Sequence, residues 1–410
     1  MTPGQSFDIV IVGGGMVGAS LAVALAPLGL KVALIEAIPH DSAAQPSFDE
    51  RTTALSNGSR RILETLGIWT DVEAAATPIR KIHVSDQGRF GFARIDAEEQ
   101  GLAAMGYVLP NRSLGTALWS RVQASAGIHV FCPAGVSSVV PGERSVSLQI
   151  THQGATLQID ASLVVAADGA QSVVRSAFGV AAEVRDYGQT AVITTILPQR
   201  FHDHVAYERF TAAGPLALLP LDGGRCTLVL TLHREMAESA MAWSDAEFLA
   251  EAQRRFGFRL GRFLKVGRRV TYPLSLTRAE RTSAGRCVIV GNAAQGLHPV
   301  AGMGFNLGLR DVASLAELIA DRRHDSSFDA GASALLAEYD KWRSADRGGV
   351  IAFTDGLVRA FASPSRVVRR LRNIGLLVFD LLPPAKSALS RLSAGGSTRV
   401  PKLARGVTLQ

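Results

Sequence analysis

Cysteine is scarce: Cys132, Cys226 and Cys287 are the three in 410 residues, and they lie far apart. Such spacing gives neither a CxxC metal pattern nor an even-numbered disulfide framework, so a reducing compartment is expected. Long apolar runs are missing too. Phe7–Val12 is broken at once by Gly13, Gly14 and Gly15, too soon for the apolar stretch of an export signal or a membrane span. There is no His/Cys/carboxylate cluster with metal-ligand spacing and no GxSxG, so neither a metal site nor a serine hydrolase is expected. Acidic residues run short towards the end. Residues 341–410 carry thirteen Lys/Arg against three Asp/Glu, more than the whole formal charge of +7. No zinc finger or aromatic-interleaved basic stripe accompanies this excess, so nucleic acid is not expected as a partner, and a membrane surface or a protein is.

With 47% hydrophobic and 19% charged residues, the chain has the composition of an ordinary globular protein and the length for two or three domains. Phe7-Asp-Ile-Val-Ile-Val12 reads as a buried parallel strand, Met16 to Leu28 as a helix stopped at Pro27-Leu-Gly29, and Lys31-Val-Ala-Leu-Ile35 as the next strand. Between the first strand and the helix stands Gly13-Gly-Gly15-Met-Val-Gly18, and Glu36 ends the second strand 18 residues beyond Gly18. In this nucleotide-binding βαβ unit Gly13 permits the tight turn, Gly15 lets a pyrophosphate reach the backbone, and Gly18 lets helix and strand pack closely. The helix start offers open N–H groups to phosphate, and Glu36 can accept from both ribose hydroxyls. The unit does not separate FAD from NAD.

Further along, Arg51 precedes a helical pattern from Ser59 to Leu66, and Ile79 to Ile95 holds two strand-like pieces joined at Asp86-Gln-Gly88 as a hairpin. Asn111-Arg112-Ser begins a helix running to about Ala124, and Leu163–Ala167 is a buried strand that ends in Asp168-Gly169 with Arg175 beyond. Residues 183–275 carry strand-like runs and a helix from Ser244 to Phe256. Cys287–Gly291 is the last buried strand, and Leu307 to Ala320 has helical periodicity. A helical region follows from Ala334 to Leu392, with loops around Pro364 and Pro383-Pro384.

The run Gly291-Asn-Ala-Ala-Gln-Gly-Leu-His-Pro299-Val-Ala-Gly302-Met-Gly304-Phe-Asn306-Leu-Gly-Leu-Arg-Asp311 resembles the GD motif of the flavin-dependent aromatic hydroxylases. Asp168-Gly169 is similar to their DG motif, and Gly13-x-Gly15-x-x-Gly18 supplies the third signature in the family's order. Asn292 and Asn306–Asp311 are similar in wording to the ubiquinone-biosynthesis branch, nearest its 2-polyprenyl-6-methoxyphenol hydroxylases. Val84-Ser-Asp, Tyr207-Glu-Arg-Phe, Gly214–Pro220 and Asn373-Ile-Gly375 extend the resemblance over nearly the whole chain. Two positions depart: Asn292 stands where the wider family has Asp, and Met303 where the branch usually has Gln.

The resemblance implies an α/β fold like that of para-hydroxybenzoate hydroxylase. A Rossmann-like FAD-binding domain with a parallel sheet would comprise 1–78, 106–182 and 276–333, an antiparallel-sheet substrate domain 79–105 and 183–275, and C-terminal helices 334–410. It implies FAD as cofactor, NADPH or NADH and O₂ as co-substrates, and hydroxylation of a polyprenylated phenol through a flavin C4a-hydroperoxide. By the same resemblance Glu36 binds the adenosine ribose, Arg51 and Arg112 the FAD phosphates or their neighbours, and Asn292 the ribityl chain. Asp168 and Arg175 lie near the pyrophosphate and the visiting nicotinamide. Pro299, Gly302, Gly304 and Asn306 pass the ring and open a helix whose N-terminus favours the charge of reduced flavin. His298 is a candidate acid or base, against a histidine held by backbone contacts before a proline. Val367, Leu371, Ile374 and Val378 share one face of a helix beside Arg366, Arg369, Arg370 and Arg372. That face suits either an anionic membrane or packing on the core with solvated arginines. A cytoplasmic protein follows, peripheral at the inner membrane face under the first reading and a candidate member of a ubiquinone biosynthetic complex. The rival readings are a hydroxylase of another aromatic, a flavin reductase of the same fold, or a non-catalytic member of that complex. A halogenase is disfavoured because Trp69, Trp119, Trp243 and Trp342 stand alone, outside any W-x-W-x-I-P motif.

Overall fold

In the first strand, Gln5–Val12, Ile9 and Ile11 are buried among helices while Val10 and Val12 are buried among strands. A strand covered on both faces is apolar without alternation, which is why this one reads as a continuous run. The computed structural model describes residues 5–409 apart from 43–44, 46, 50, 299–301, 363–364, 383 and 389–398, and leaves out the side chains of 358, 362 and 366–371.

The first strand pairs in parallel with Val32–Ile35 on one side and Ala155–Ala166 on the other, and Ile128–Phe131 and Cys287–Ile289 extend the sheet in parallel at its two ends. The helices Met16–Leu25, Asn111–Ala124 and Met303–Arg322 cover one face, and their apolar residues form one core with Ile9, Ile11, Leu34 and Val165. On the other face the antiparallel strands Ala134–Pro141 and Val146–His152 lead back into Ala155–Ala166. Three short strands, Thr52–Ser56, Thr77–Ile79 and Gly106–Pro110, form a small sheet of their own.

The second large sheet draws its strands from residues 81–96 and 182–279, with Gln295–Gly296 at its edge. It is antiparallel except where Val205–Thr211 runs parallel to Lys81–Asp86. Its two faces differ as period-two alternation requires. Val192, Leu216, Leu218, Leu228 and Leu230 pack outward against the helix Asp245–Phe256, whose N-cap Ser244 and Glu247 form a reciprocal capping box. Ala191, Ile193, Ala217, Leu219 and Val229 point inward to a cavity.

The helices Ser333–Ala362 and Arg366–Leu381 close that cavity from the C-terminal side. The chain then returns to the first domain. Leu403, Ala404 and Leu409 are buried, Trp342 donates to the Arg399 carbonyl at 2.9 Å, and Thr65 donates to the Leu403 carbonyl at 2.9 Å. The basic C-terminal residues read in the sequence as a surface for a membrane or a partner include several that pair within the fold. Arg343 and Arg347 are buried, Arg399 pairs with Glu317, Lys402 with Asp321, and Arg372 with Asp86. Much of the C-terminal positive charge is therefore spent on acids elsewhere in the fold. Arg366, Arg369, Arg370, Val367 and Leu371 have side chains outside the described residues.

Candidate active site

The glycine turn is built by close approach. Gly13 has φ +104°, and a Cβ there would lie 2.4 Å from the Ala167 carbonyl oxygen; one at Gly18 would lie 1.8 Å from the Gly13 oxygen. Gly15 is different. Its backbone is ordinary (φ −64°, ψ −176°), but a Cβ would come within 2.8 Å of Ser47 Oγ and fill the cradle. Among the described residues no side chain caps the helix that starts at Met16, and its first turn lines the cavity, so N–H groups there are open to a ligand. Glu36 accepts from Gly14 N at 2.6 Å and Ile38 N at 2.8 Å, and its carboxylate retains lone pairs for a ribose. Trp119, which carried no signal in the sequence, donates to the Gly14 carbonyl at 3.0 Å and stacks on His40.

Across the turn, Asp168 Oδ2 accepts from Val174 N at 3.2 Å, while Oδ1 is buried at the cavity edge with no partner among the described residues. A buried orphan acceptor beside an uncapped helix start fits a ligand that brings hydroxyls, as FAD does. Arg175 does not face that space. It is 7% exposed and donates to the Ala293 carbonyl at 2.7 Å and the Ala170 carbonyl at 3.0 Å, so it braces the turn Gly291–Ala293. Asn292 projects from that turn, exposed and on the cavity wall. Arg51 also lines the cavity, held by Asp49 at 2.6 Å with its guanidinium over Tyr272. Arg112 is exposed in the first turn of its helix and is not on the cavity wall.

The helix Met303–Arg322 starts on Gly302, whose φ is +59° and where a Cβ would sit 3.0 Å from that of Ala54; a Cβ at Gly304 would meet none of the described residues within 4 Å. Asn306 is on the cavity wall, but its side-chain amide is committed to backbone groups. Its Nδ2 donates to the carbonyls of Ala54 (2.8 Å) and Gly302 (2.7 Å), and its Oδ1 accepts from Ser56 N (2.8 Å). Pro299 lies outside the described residues. Met303 is 3% exposed among Leu297, Leu307, Val350 and Phe353, an apolar setting that accounts for an apolar residue there. His298 is 2% exposed and edge-on to Tyr187, and burial pushes its ring down to about 4, so it is neutral at physiological pH.

Behind the loop lies a network that the sequence did not announce. Asp311, fully buried, accepts from Arg343 Nε at 2.8 Å and Gln295 Nε2 at 2.7 Å; Arg343 and Arg310 both reach Asp346, and Arg347 donates to Gln295 Oε1 at 2.6 Å. Side chains of the C-terminal helix thus fix the loop that carries Asn292. The cavity itself, about 1800 Å³, runs continuously from Gly13, Glu36 and Asp168 past Asn292, His298 and Gly302 to the inner face of the antiparallel sheet and to Leu376 and Phe379.

A model of the FAD binding domain family matches residues 6–354. The ubiquinone hydroxylase UbiL of Rhodospirillum rubrum is 38% identical over 407 residues, covering 98% of this chain and 93% of that protein. The 3-demethoxyubiquinol 3-hydroxylase of Escherichia coli is 31% identical over 379 residues, covering 92% of this chain and 95% of that protein. The crystal structure of p-nitrophenol 4-monooxygenase PnpA from Pseudomonas putida matches with a TM-score of 0.79 at 18% identity, over 96% of this chain and 100% of that one, which bears on the fold alone. With an FAD cradle in place and relatives of this identity along nearly their whole length, the chain belongs to the FAD-dependent monooxygenases, in the group that holds the ubiquinone hydroxylases.

Proposed function

We propose that this protein hydroxylates the aromatic ring of a polyprenylated phenol in ubiquinone biosynthesis, with electrons from NADPH or NADH and oxygen from O₂. The observation that carries the reading is the cavity. At about 1800 Å³ it exceeds the roughly 300–1,000 Å³ of an ordinary small-molecule pocket, and it adds a long apolar chamber to the cofactor cradle. A ring on a prenyl chain needs such room beyond the flavin.

FAD, when bound, supplies the electron transfer and oxygen activation. The chain's own residues bind, orient and exclude water. Glu36 would hold the adenosine ribose, the N–H groups at Met16 the pyrophosphate, Asp168 Oδ1 a hydroxyl nearby, and Asn292 the ribityl chain without charge assistance. The helix start at Gly302–Gly304 would lie at the ring's polar edge. His298, neutral and buried, would shape the chamber and not deliver a proton. Ile193, Ala217 and Val229 keep water from the reacting ring. Deleting the gene in its host tests the reading: a quinone precursor one hydroxyl short should accumulate, and an unchanged quinone profile would remove it.

Contact with a membrane belongs to the same proposal. No helix among the described residues is long and apolar enough to cross a bilayer. One helix, Arg366–Leu381, lines the cavity with Leu376 and Phe379 while Ile374, Val378 and Leu381 are 53%, 47% and 76% exposed. A helix apolar on both its cavity side and its outer side suits a lipid-borne substrate entering from a bilayer surface. Arg372 contributes nothing to lipid binding in this reading, because Asp86 holds it. Sedimentation with anionic vesicles should drop when Ile374, Val378 and Leu381 are all changed to Ser, and unaltered sedimentation would refute the contact.

A further inference from the structure

The sequence pattern Tyr207-Glu-Arg-Phe places one carboxyl where none of the described residues partners it. Glu208 lies mid-strand in Val205–Thr211, on the inner face with Ala206 and Phe210. Val84 and Ala217 stand directly across from it on the two neighbouring strands, and neither side chain can hydrogen-bond. No described residue pairs with the carboxyl. Ala206 packs in a cluster with Ile79 and Ala54, and Ala54 is the residue that Asn306 and Gly302 contact at the cofactor end. Phe210 stacks on Phe361 with ring centroids 3.4 Å apart and packs with Leu357 and Tyr187. Two residues of strand advance about 6.7 Å, so the carboxyl hangs between the cofactor end and the wall made by the C-terminal helices.

We propose that the Glu208 carboxyl holds the ring hydroxyl of the substrate and takes its proton, which makes Glu208 a catalytic residue of the hydroxylation. The proposal rests on the phenol reading above. In the step the phenol O–H bond breaks, the proton passes to a Glu208 carboxylate oxygen, and the electron pair stays on the phenol oxygen. There it enriches the ring positions that accept the incoming hydroxyl. Half-buried on the cavity wall, the Glu208 carboxyl is pushed up by burial to about 8. An ordinary glutamate, near 4.3, is a poor base for a phenol that ionises near 10; one at about 8 is far better matched and still partly ionised at neutral pH. Other titratable groups on the surrounding elements are occupied or neutral. Asp86 is held by Arg372 and Asn373, Lys81 by Asp96, Arg209 by the Arg255 carbonyl, and Asp355 by Arg185 and Arg359. Burial keeps His83 and His298 near 4, the Tyr187 hydroxyl is pushed up to about 12, and the strand Gly214–Pro220 carries no titratable side chain.

The test uses FAD-loaded enzyme with 2-geranylphenol as the probe and its methyl ether, which has no proton to give, as the control. Wild-type kcat/KM for the phenol should rise as pH passes through about 8. Glu208→Gln should lose that rise and fall on the order of 10²-fold or more at pH 8.5, with FAD content and thermal midpoint unchanged. Glu208→Asp should keep the rise at a lower rate. Flavin-absorbance titrations at pH 9 should show wild-type enzyme preferring the phenol to the ether and Glu208→Gln preferring neither. If the wild type hydroxylates the phenol and Glu208→Gln keeps the same pH profile and preference, the Glu208 proposal falls and the phenol reading stands. If the wild type neither binds nor hydroxylates the phenol, both fall.

Discussion

The Asn306 side-chain oxygen accepts the Ser56 backbone N–H at 2.8 Å, joining residues 250 positions apart. With its two Nδ2 donors committed to Ala54 and Gly302, the amide ties the start of one helix to the last strand residue before another. Asn306→Asp keeps the acceptor and sets a carboxylate against two carbonyl oxygens. Each lost buried bond costs about 1–3 kcal/mol, so thermal unfolding of apoprotein should show a drop of that size or larger. FAD titration should show weakened binding as well; an unchanged FAD affinity would mean that the helix start does not bear on the cofactor.

The Asp311–Arg343–Asp346 cluster gives a second expectation. Arg343→Ala leaves two buried carboxylates facing the hole, and breaking a buried pair from one side costs about 3–5 kcal/mol. Adding Asp311→Asn to Arg343→Ala should recover part of that loss, because Asp346 still holds Arg310, the amide oxygen still accepts from Gln295, and one buried charge without its arginine is gone. Urea unfolding of both proteins decides, and a double variant weaker than the single would reject the account.

Gly304 separates function from stability. A Cβ there meets no atom of the described residues within 4 Å, and alanine is favoured over glycine in a helix by about 1 kcal/mol, so Gly304→Ala should unfold at a slightly higher temperature. Because the added methyl projects at the cavity wall, turnover should fall. Gly18→Ala, clashing with the Gly13 carbonyl, should instead yield colourless protein.

His298 sets a pH dependence of stability. Its folded value, about 4, lies below the usual 6.5, so between those values the unfolded chain binds more protons and stability falls as pH drops from 6.5. At pH 4.5 the loss from this group is roughly 2–3 kcal/mol. Above 6.5 both states are neutral and the effect is gone. Denaturant unfolding of wild type and His298→Gln at pH 7 and pH 4.5 should show the smaller loss in the variant.

The cofactor half was the more legible because its constraints are local. Gly13, Gly18 and Glu36 act within one strand-turn-helix, and each carries its reason in its residue type. Asn306 and Arg175 were legible as positions in a motif and illegible as contacts, since their partners, Ser56 and the Ala293 carbonyl, are supplied by distant chain. Trp119, one of four isolated tryptophans, and Asp311, the last residue of a motif, reveal their work only when the sheet brings them to Gly14 and Arg343. The C-terminal arginines read as an unbalanced excess of positive charge for the same reason: acids that neutralise some of them, such as Asp86 and Glu317, lie in other elements.

The inner face of the antiparallel sheet has a consequence for how the enzyme's substrate range can change. Ala191, Ala206 and Ala217 point into the chamber while leucines such as Leu218 and Leu230 fill the opposite face. Chamber height is therefore written in small side chains, of which Ala217 is the least enclosed and Ala206 the one that packs towards the cofactor end through Ala54. Exchanging Ala217 for Val or Leu would shorten the room methyl by methyl, so the range of substrates that fit can change by single substitutions on this wall.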